Sequence, residues 1–298
     1  MSNTTTATVH QLHVVKSDRR STQSLSKSPE APKVRQPHFE FTEGGDLPRY
    51  WWDNDPAKTL LLAALSATFP PGEKFFIDSV RHYQHQIKDL ELLRAIKGFI
   101  GQEAHHSREH QLMNDLMQSR GIDLARFERE IQHFMDVLRE RLSPERQLAH
   151  TVAAEHFTAM MADALLLQND ALDEMDPRIA ALWAWHAIEE TEHKAVAFDV
   201  FKAIGGSEWV RVSEMMVVSV MFPLFTTLHL IQLMKDDGQL GNLRSWFGAA
   251  NYMWGKPGIF RKLIPEYLRY YSPKFHPWNQ DSRKQVEKAK KRWLGDWA

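Results

Sequence analysis

Beyond residue 56 the apolar positions recur every three to four residues, the period of a helix with one buried face. Stripes of this kind run through residues 57–68, 71–90, 90–118, 123–141, 145–169 and 177–204. Between them stand Pro70-Pro71-Gly72, Gly121, Ser143-Pro144, Asp176-Pro177 and Gly205-Gly206, residues that stop helices or open them. Ser143 and Asp176 each set a capping side chain just before a proline, which tolerates the first helical position. No segment alternates with the period of a strand, so the pattern predicts an all-α chain.

The first 45 residues lack this pattern and are rich in Ser, Thr, Pro and charge, as expected of a disordered or loosely docked arm. They contain no apolar run of the kind a secretory signal needs, and the expected location is cytoplasmic. Tyr50-Trp51-Trp52 marks the expected start of packing. Residues 46–211 form the expected helical core and 212–298 a C-terminal helical extension. Within that extension, 215–234 carries no charge and is long enough to span a bilayer. Ser219, Thr226, Thr227, His229, Gln232 and a central Pro223 favour a buried or substrate-lining helix, with interfacial docking as the intermediate reading. The last 40 residues are basic and aromatic, a solvated face or a contact for anionic lipid. Peripheral membrane contact is therefore one expectation.

Composition narrows the chemistry. Lys and Arg number 37 against 38 Asp and Glu, leaving a net charge of −1 and no basic excess for nucleic acid. Cysteine is absent, which excludes disulfides, thiolate nucleophiles and iron–sulfur clusters. A metal would have to be held by imidazole and carboxylate. Ten of the 15 histidines lie between His82 and His193, which is where to look.

Glu and His three apart share a helix face and can grip one ion. By chance, roughly one such pair is expected at this composition; three occur, Glu103/His106, Glu130/His133 and Glu190/His193. Glu103, His106 and His110 fall on the stripe of Leu92, Ile96, Phe99 and Met113. Glu190 and His193 fall on that of Ile179, Trp183, Ala197 and Phe201. Carboxylates and imidazoles inside an apolar stripe are costly unless paired or metal-bound. His133 lies off its stripe, so the middle pair reads as a solvated face.

A lone Glu precedes each retained pair on an apolar stripe of its own: Glu73 lies 30 residues before Glu103, and Glu155 35 before Glu190. That separation fits an antiparallel hairpin. Two copies of Glu…Glu-x-x-His on four packed helices are the ligand pattern of dinuclear carboxylate bundles. His186, four before Glu190, adds a further nitrogen on the same face, as a ligand or as a core histidine. Glu189 and Glu192 point off the stripe, toward solvent or toward the ligands from behind, and His110 is a supporting candidate.

The segments FPPGEKFFIDSVRHY, FIGQEAHHSREHQ, AAEHFTAMMAD and WHAIEETEHKAVAFDVF resemble the bacterial ferritin-like family of predicted metal-dependent hydrolases, over about residues 50–270. The His-x-x-x-Glu-x-x-His stretch is also similar to that of di-iron arylamine N-oxygenases. The resemblance implies a ferritin-like four-helix core and metal-ligand roles for Glu73, Glu103, His106, Glu155, His186, Glu190 and His193. Pro70-Pro71-Gly72 places Glu73 in the first turn of its helix, a departure that makes it the least secure ligand.

Three functions compete. The first is a di-iron enzyme, with manganese–iron or di-manganese as variants, that uses dioxygen to oxidise a small lipophilic or aromatic substrate. An electron donor is then an expected partner, and apolar faces beyond the bundle suggest a homodimer. The second is hydrolysis, either dinuclear on the same ligands or by the inverted zinc-peptidase spacing His106-x-x-Glu109-His110. The third is iron storage without catalysis.

Overall fold

The computed structural model describes residues 30–42, 45–167, 169–256 and 258–295. Its elements are α1 (Pro56–Ser66), α2 (Phe69–Tyr83), α3 (Leu90–Ser119), α4 (Ala125–Arg141), α5 (Pro144–Leu167), α6 (Asn169–Asp173), α7 (Pro177–His193), α8 (Val196–Ala203), α9 (Glu208–Asp236), α10 (Leu243–Trp254), α11 (Ile259–Arg269) and α12 (Arg283–Trp293). The chain is all-α, and the described residues add two 3-10 turns, Gln84–Gln86 and Pro277–Asn279, and an isolated bridge between Trp52 and Met175. Asp55, Asp89 and Asp176 cap α1, α3 and α7 by accepting from backbone N–H groups of the first turn.

Helices α2, α3, α7 and α5 close a ring, each packed against the next. One apolar cluster fills the α2–α3 end and includes Phe75, Ile96, Phe99, Leu148, Val152 and Phe201. A second fills the opposite end and includes Trp51, Leu60, Met113, Ile179, Trp185 and Leu233. Both clusters draw on residues before and after position 212.

Three boundaries differ from the pattern. Helix α2 starts at Phe69 rather than residue 71, because Pro70 and Pro71 occupy its first turn, where a missing N–H costs nothing. Glu73 therefore lies beyond the first turn. The same helix stops at Tyr83, and a single 3-10 turn, Gln84–Gln86, follows. The stripe 177–204 is two helices, broken at Lys194-Ala195 directly after His193. There the buried Lys194 Nζ donates to Gln280 O and Ser282 Oγ at 2.9 and 3.1 Å, drawing the backbone aside.

Of the expected arm, residues 1–29, 43 and 44 lie outside the described residues, and 30–42 forms a strap packed on α3. Its path crosses α3 at Gly98 and Gly101, where a Cβ would strike the Pro32 carbonyl and the Val34 side chain. Arg35 is buried against Glu189 and Glu192, and the Phe39 N–H donates to Glu109.

Helix α9 is long and apolar enough to cross a membrane, yet only 28% of its most apolar window is buried. Met215, Val218, Leu230 and Leu233 pack inward, whereas Val220, Leu224, Leu228 and Ile231 are exposed. The expected burial thus holds for one face.

Candidate metal centre

Each of the four ring helices brings carboxylates or imidazoles to the interior. Helix α2 contributes Glu73, α3 Glu103 and His106, α5 Glu155, and α7 His186, Glu190 and His193, all buried. Their donor atoms gather into overlapping groups: Glu73, His106 and His186; Glu103, His106 and Glu190; Glu103, Glu155 and His193. Within each group one atom per residue lies within 4.8 Å of the others. Glu103 Oε1 stands 3.8 Å from His106 Nδ1 and 3.0 Å from His193 Nε2. Glu190 Oε1 stands 3.6 Å from His106 Nδ1, 3.0 Å from His186 Nε2 and 3.6 Å from His193 Nε2. These two carboxylates therefore lie between the histidines, while Glu73 and Glu155 lie at opposite ends.

Much of this polarity is unmatched. Both oxygens of Glu103 and Glu155, one each of Glu73 and Glu190, both nitrogens of His106 and His193 Nε2 are buried without a hydrogen-bond partner. Native proteins rarely leave such groups orphaned, since each costs about 1–3 kcal/mol and more when charged. A cation is what this donor set lacks, and hard oxygen with imidazole nitrogen suits iron, manganese or zinc.

The electrostatics carry the same message. Burial, and then the Glu103 carboxylate, hold Glu73 well above the usual carboxylate range. Burial and Glu155 do the same to Glu103, and burial lifts Glu155 to about 7. Burial also pushes on Glu190, but His193 and His186 outweigh it and hold that carboxyl well below its usual range. His193 is held well above its ordinary value because Glu190 and Glu155 overcome its burial. His106 is pushed far down by burial and by His186.

Behind these side chains stands a cross-braced support. Gln102, one residue before Glu103, accepts from His193 Nδ1 at 2.9 Å and donates to Glu192 Oε2 at 2.9 Å. Glu189, one residue before Glu190, lies 3.2 Å from His106 Nε2. Each Glu-x-x-His helix thus sets a residue behind the histidine of the other, Gln102 by a hydrogen bond to His193 and Glu189 by facing His106 Nε2 without one. Both braces end on the strap, because Arg35 donates to Glu189 at 2.9 Å and to both oxygens of Glu192 at 2.8 and 2.9 Å.

His110 Nε2 lies 2.7 Å from His186 Nδ1, and His110 Nδ1 lies 2.9 Å from Ser66 Oγ, which donates to Asn114 Oδ1. With His186 Nδ1–H donating to His110, His186 Nε2 presents a lone pair toward Glu73 and Glu190. His110 is therefore a support, as expected. The peptidase reading loses its base: Glu109 is turned away to Arg108 and the strap. Glu130 and His133 are exposed on α4, away from the centre.

Two signals were missed, Gln102 and the strap. Gln102 holds the place in the first copy that Glu189, already a candidate for support, holds in the second, so aligning the two Glu-x-x-His segments would have exposed it. The strap has no periodicity to find.

Two cavities reach the centre. One, about 110 Å³, ends at His186 and Glu190 and is walled by residues such as Leu62, Ala162, Trp183 and Phe260. The other, about 70 Å³, ends at Glu73 between α2, α4, α5 and α9.

No curated protein and no solved structure matches the chain. Over residues 33–281, which take in most of the strap, both braces and all seven interior ligand candidates, the chain matches the family model described as predicted metal-dependent hydrolase, and it belongs to that family.

Proposed function

We propose that the chain is an enzyme with a dinuclear metal centre acting on an apolar substrate. Glu73, His106 and His186 would hold one ion and Glu155 and His193 the other, with Glu103 and Glu190 within reach of both. The observation that carries this reading is the set of buried, partnerless carboxylate and imidazole atoms converging from four helices. Seven side chains of this kind are costly to bury together in a dry core, and cations would offset that cost.

A bound pair of this type supplies either electrons for dioxygen chemistry or a water acidified for attack. The rest falls to the chain. Gln102 and Glu189 hold His193 and His106 in orientation, Arg35 balances the bracing carboxylates, and the apolar walls keep bulk water out. Oxidation with dioxygen is the reaction that the carboxylate-rich donor set and dry surroundings support best. Hydrolysis on the same ligands is the second reading, supported by the description of the family.

Anaerobic loading with ferrous iron followed by exposure to air separates them. Uptake of two irons per chain with a transient visible absorption is expected for the oxidative reading. Two bound ions with no reaction toward oxygen, together with metal-dependent cleavage of apolar esters, would transfer the assignment to hydrolysis. A single tightly bound zinc would overturn the dinuclear reading.

A further inference from the structure

The two cavities beside the centre share a wall. Phe69, at the start of α2, and Thr158, one turn after Glu155 on α5, line both of them. The Phe69 ring lies 4.6 Å from the His186 ring, so this partition stands at the centre itself. The larger cavity arrives from the His186 side and the smaller from the Glu73 side, on the two flanks of the cluster Glu73, His106 and His186.

Elsewhere the walls are mostly apolar, with Tyr252 in the larger arm and Thr68 and His150 in the smaller. The larger arm offers Leu61, Leu65, Ala162, Leu165 and Met253; the smaller offers Phe76, Ile131, Met135, Ala154 and Phe222. Neither arm is lined by Lys or Arg. Ile259 and Phe260 line the larger arm, and the exposed Lys256 and Arg261 stand near them along the chain, whereas Lys262 lines a separate cavity with Asp163 and Glu266. From Met253 to Pro265 the sequence contains no acidic residue.

We infer that the substrate is a linear, carboxylate-ended aliphatic chain that threads from the larger arm past Phe69 and Thr158 into the smaller one. Its anionic end stays beside Lys256 and Arg261, and an internal carbon lies beside the Glu73–His106–His186 cluster. A compact ring would fill one arm and leave the other without a purpose. The inference builds on the proposed metal centre but concerns the chain's own walls, so it can be tested on metal-free protein.

The test is calorimetric binding of hexanoate, dodecanoate and hexadecanoate to the metal-free full chain, with toluene as a compact probe. Affinity should rise by about fourfold per added methylene until both arms are full. Ala162→Phe, in the larger arm, should weaken every acid. Ala154→Phe, in the smaller arm, should weaken dodecanoate about tenfold and leave hexanoate unchanged. Met135→Trp offers a second block of the smaller arm should Ala154→Phe unfold, with thermal unfolding recorded for each variant. Replacing Lys256 and Arg261 by Ala should weaken all the acids and leave toluene unaffected. Dodecanoate binding no tighter than hexanoate, or indifferent to both blocks of the smaller arm, would overturn the inference. Metal uptake is measured in parallel: two ions bound without chain-length dependence sinks this inference alone, whereas chain-length dependence without metal uptake sinks only the metal centre.

Discussion

In the first half of the centre Gln102 precedes Glu103 and Phe99 lies one turn earlier; in the second, Glu189 precedes Glu190 and His186 takes the place of Phe99. The two matching rings behave differently. Phe99 meets His193 edge-on at 5.0 Å, whereas His186 stacks nearly flat on His106 at 4.1 Å. The terminal carboxylates differ too. Ser107 Oγ donates to Glu73 Oε2 at 2.8 Å, but Lys194, at the matching position in the second copy, faces Gln280 and Ser282, and Glu155 is left without a hydrogen bond. The repeat builds a near-symmetric frame, and three substitutions within it make one end richer in nitrogen and better braced. That end is also the one flanked by both cavities.

The largest break in the comparison comes from the carboxylate that serves both halves. Glu103→Ala should abolish loading of both ions, seen by metal analysis of the purified chain, since Glu103 lies within reach of His106 and His193 alike. Retention of one ion at full affinity would mean that the halves are independent. His193→Ala should likewise prevent dinuclear loading, and normal uptake by that variant would defeat the paired reading. His186→Phe restores the symmetry of the repeat. It should cost one ion, the one beside Glu73 and His106, and spare the other. Unchanged two-ion uptake would return His186 to the role of a core histidine.

Much of this arrangement could be read in the sequence, for a physical reason. Helix period and the three-residue spacing are local, so Glu73, Glu103, His106, Glu155, His186, Glu190 and His193 announce themselves as polar residues on apolar stripes. The braces act between helices, and nothing local says that Gln102 will face His193 or Glu189 will face His106. The strap is irregular chain held by Arg35 and by two glycines whose reason is a neighbour far away in sequence. The break at Lys194-Ala195 is set by contacts with 280–282, again nonlocal. Even the start of α2 misleads, because two prolines read as a stop when they are the first turn.

Protonation offers a subtler contrast between the ends. Glu155 is held at about 7 against an ordinary 4.5, so the folded, metal-free chain binds this proton more tightly than the unfolded one. Its contribution favours folding at low pH and turns against it as pH rises from 4.5 to about 7. The neutral Glu155→Gln variant should therefore gain on the native chain across that window, by on the order of 3 kcal/mol at its upper end. Urea unfolding of both metal-free chains across the window measures it. A constant difference, or one that grows toward acid, would contradict the burial argument. With ions bound the advantage should vanish.

Loss of a brace should be milder than loss of a ligand. Gln102→Leu removes the acceptor of His193 Nδ1–H and should weaken the ion near Glu155 by about 10–100-fold. Glu189→Leu should do the same for the ion near Glu73, and it adds a loss of fold stability by removing the buried Arg35–Glu189 ion pair. Stepwise cobalt titration followed by visible absorption resolves the two ions. Equal weakening at both by either variant would show that the braces act on the bundle as a whole.

The smallest effect belongs to Ser107. Its hydroxyl is the hydrogen-bond donor that holds Glu73 in place, a bond worth about 1 kcal/mol. Ser107→Ala should therefore weaken the ion beside Glu73 by about fivefold. The ion beside Glu155 should be untouched, since that carboxylate has no such donor to lose. Because metal-free Glu73 is pushed toward its neutral form by burial, the same variant should change unfolding of the empty chain very little. A fivefold loss at one end with unaltered stability would place the asymmetry in the surroundings of Glu73. A loss shared by both ends would mean that Ser107 supports the α2–α3 packing, and the better-braced end would then have to be explained by His186 alone.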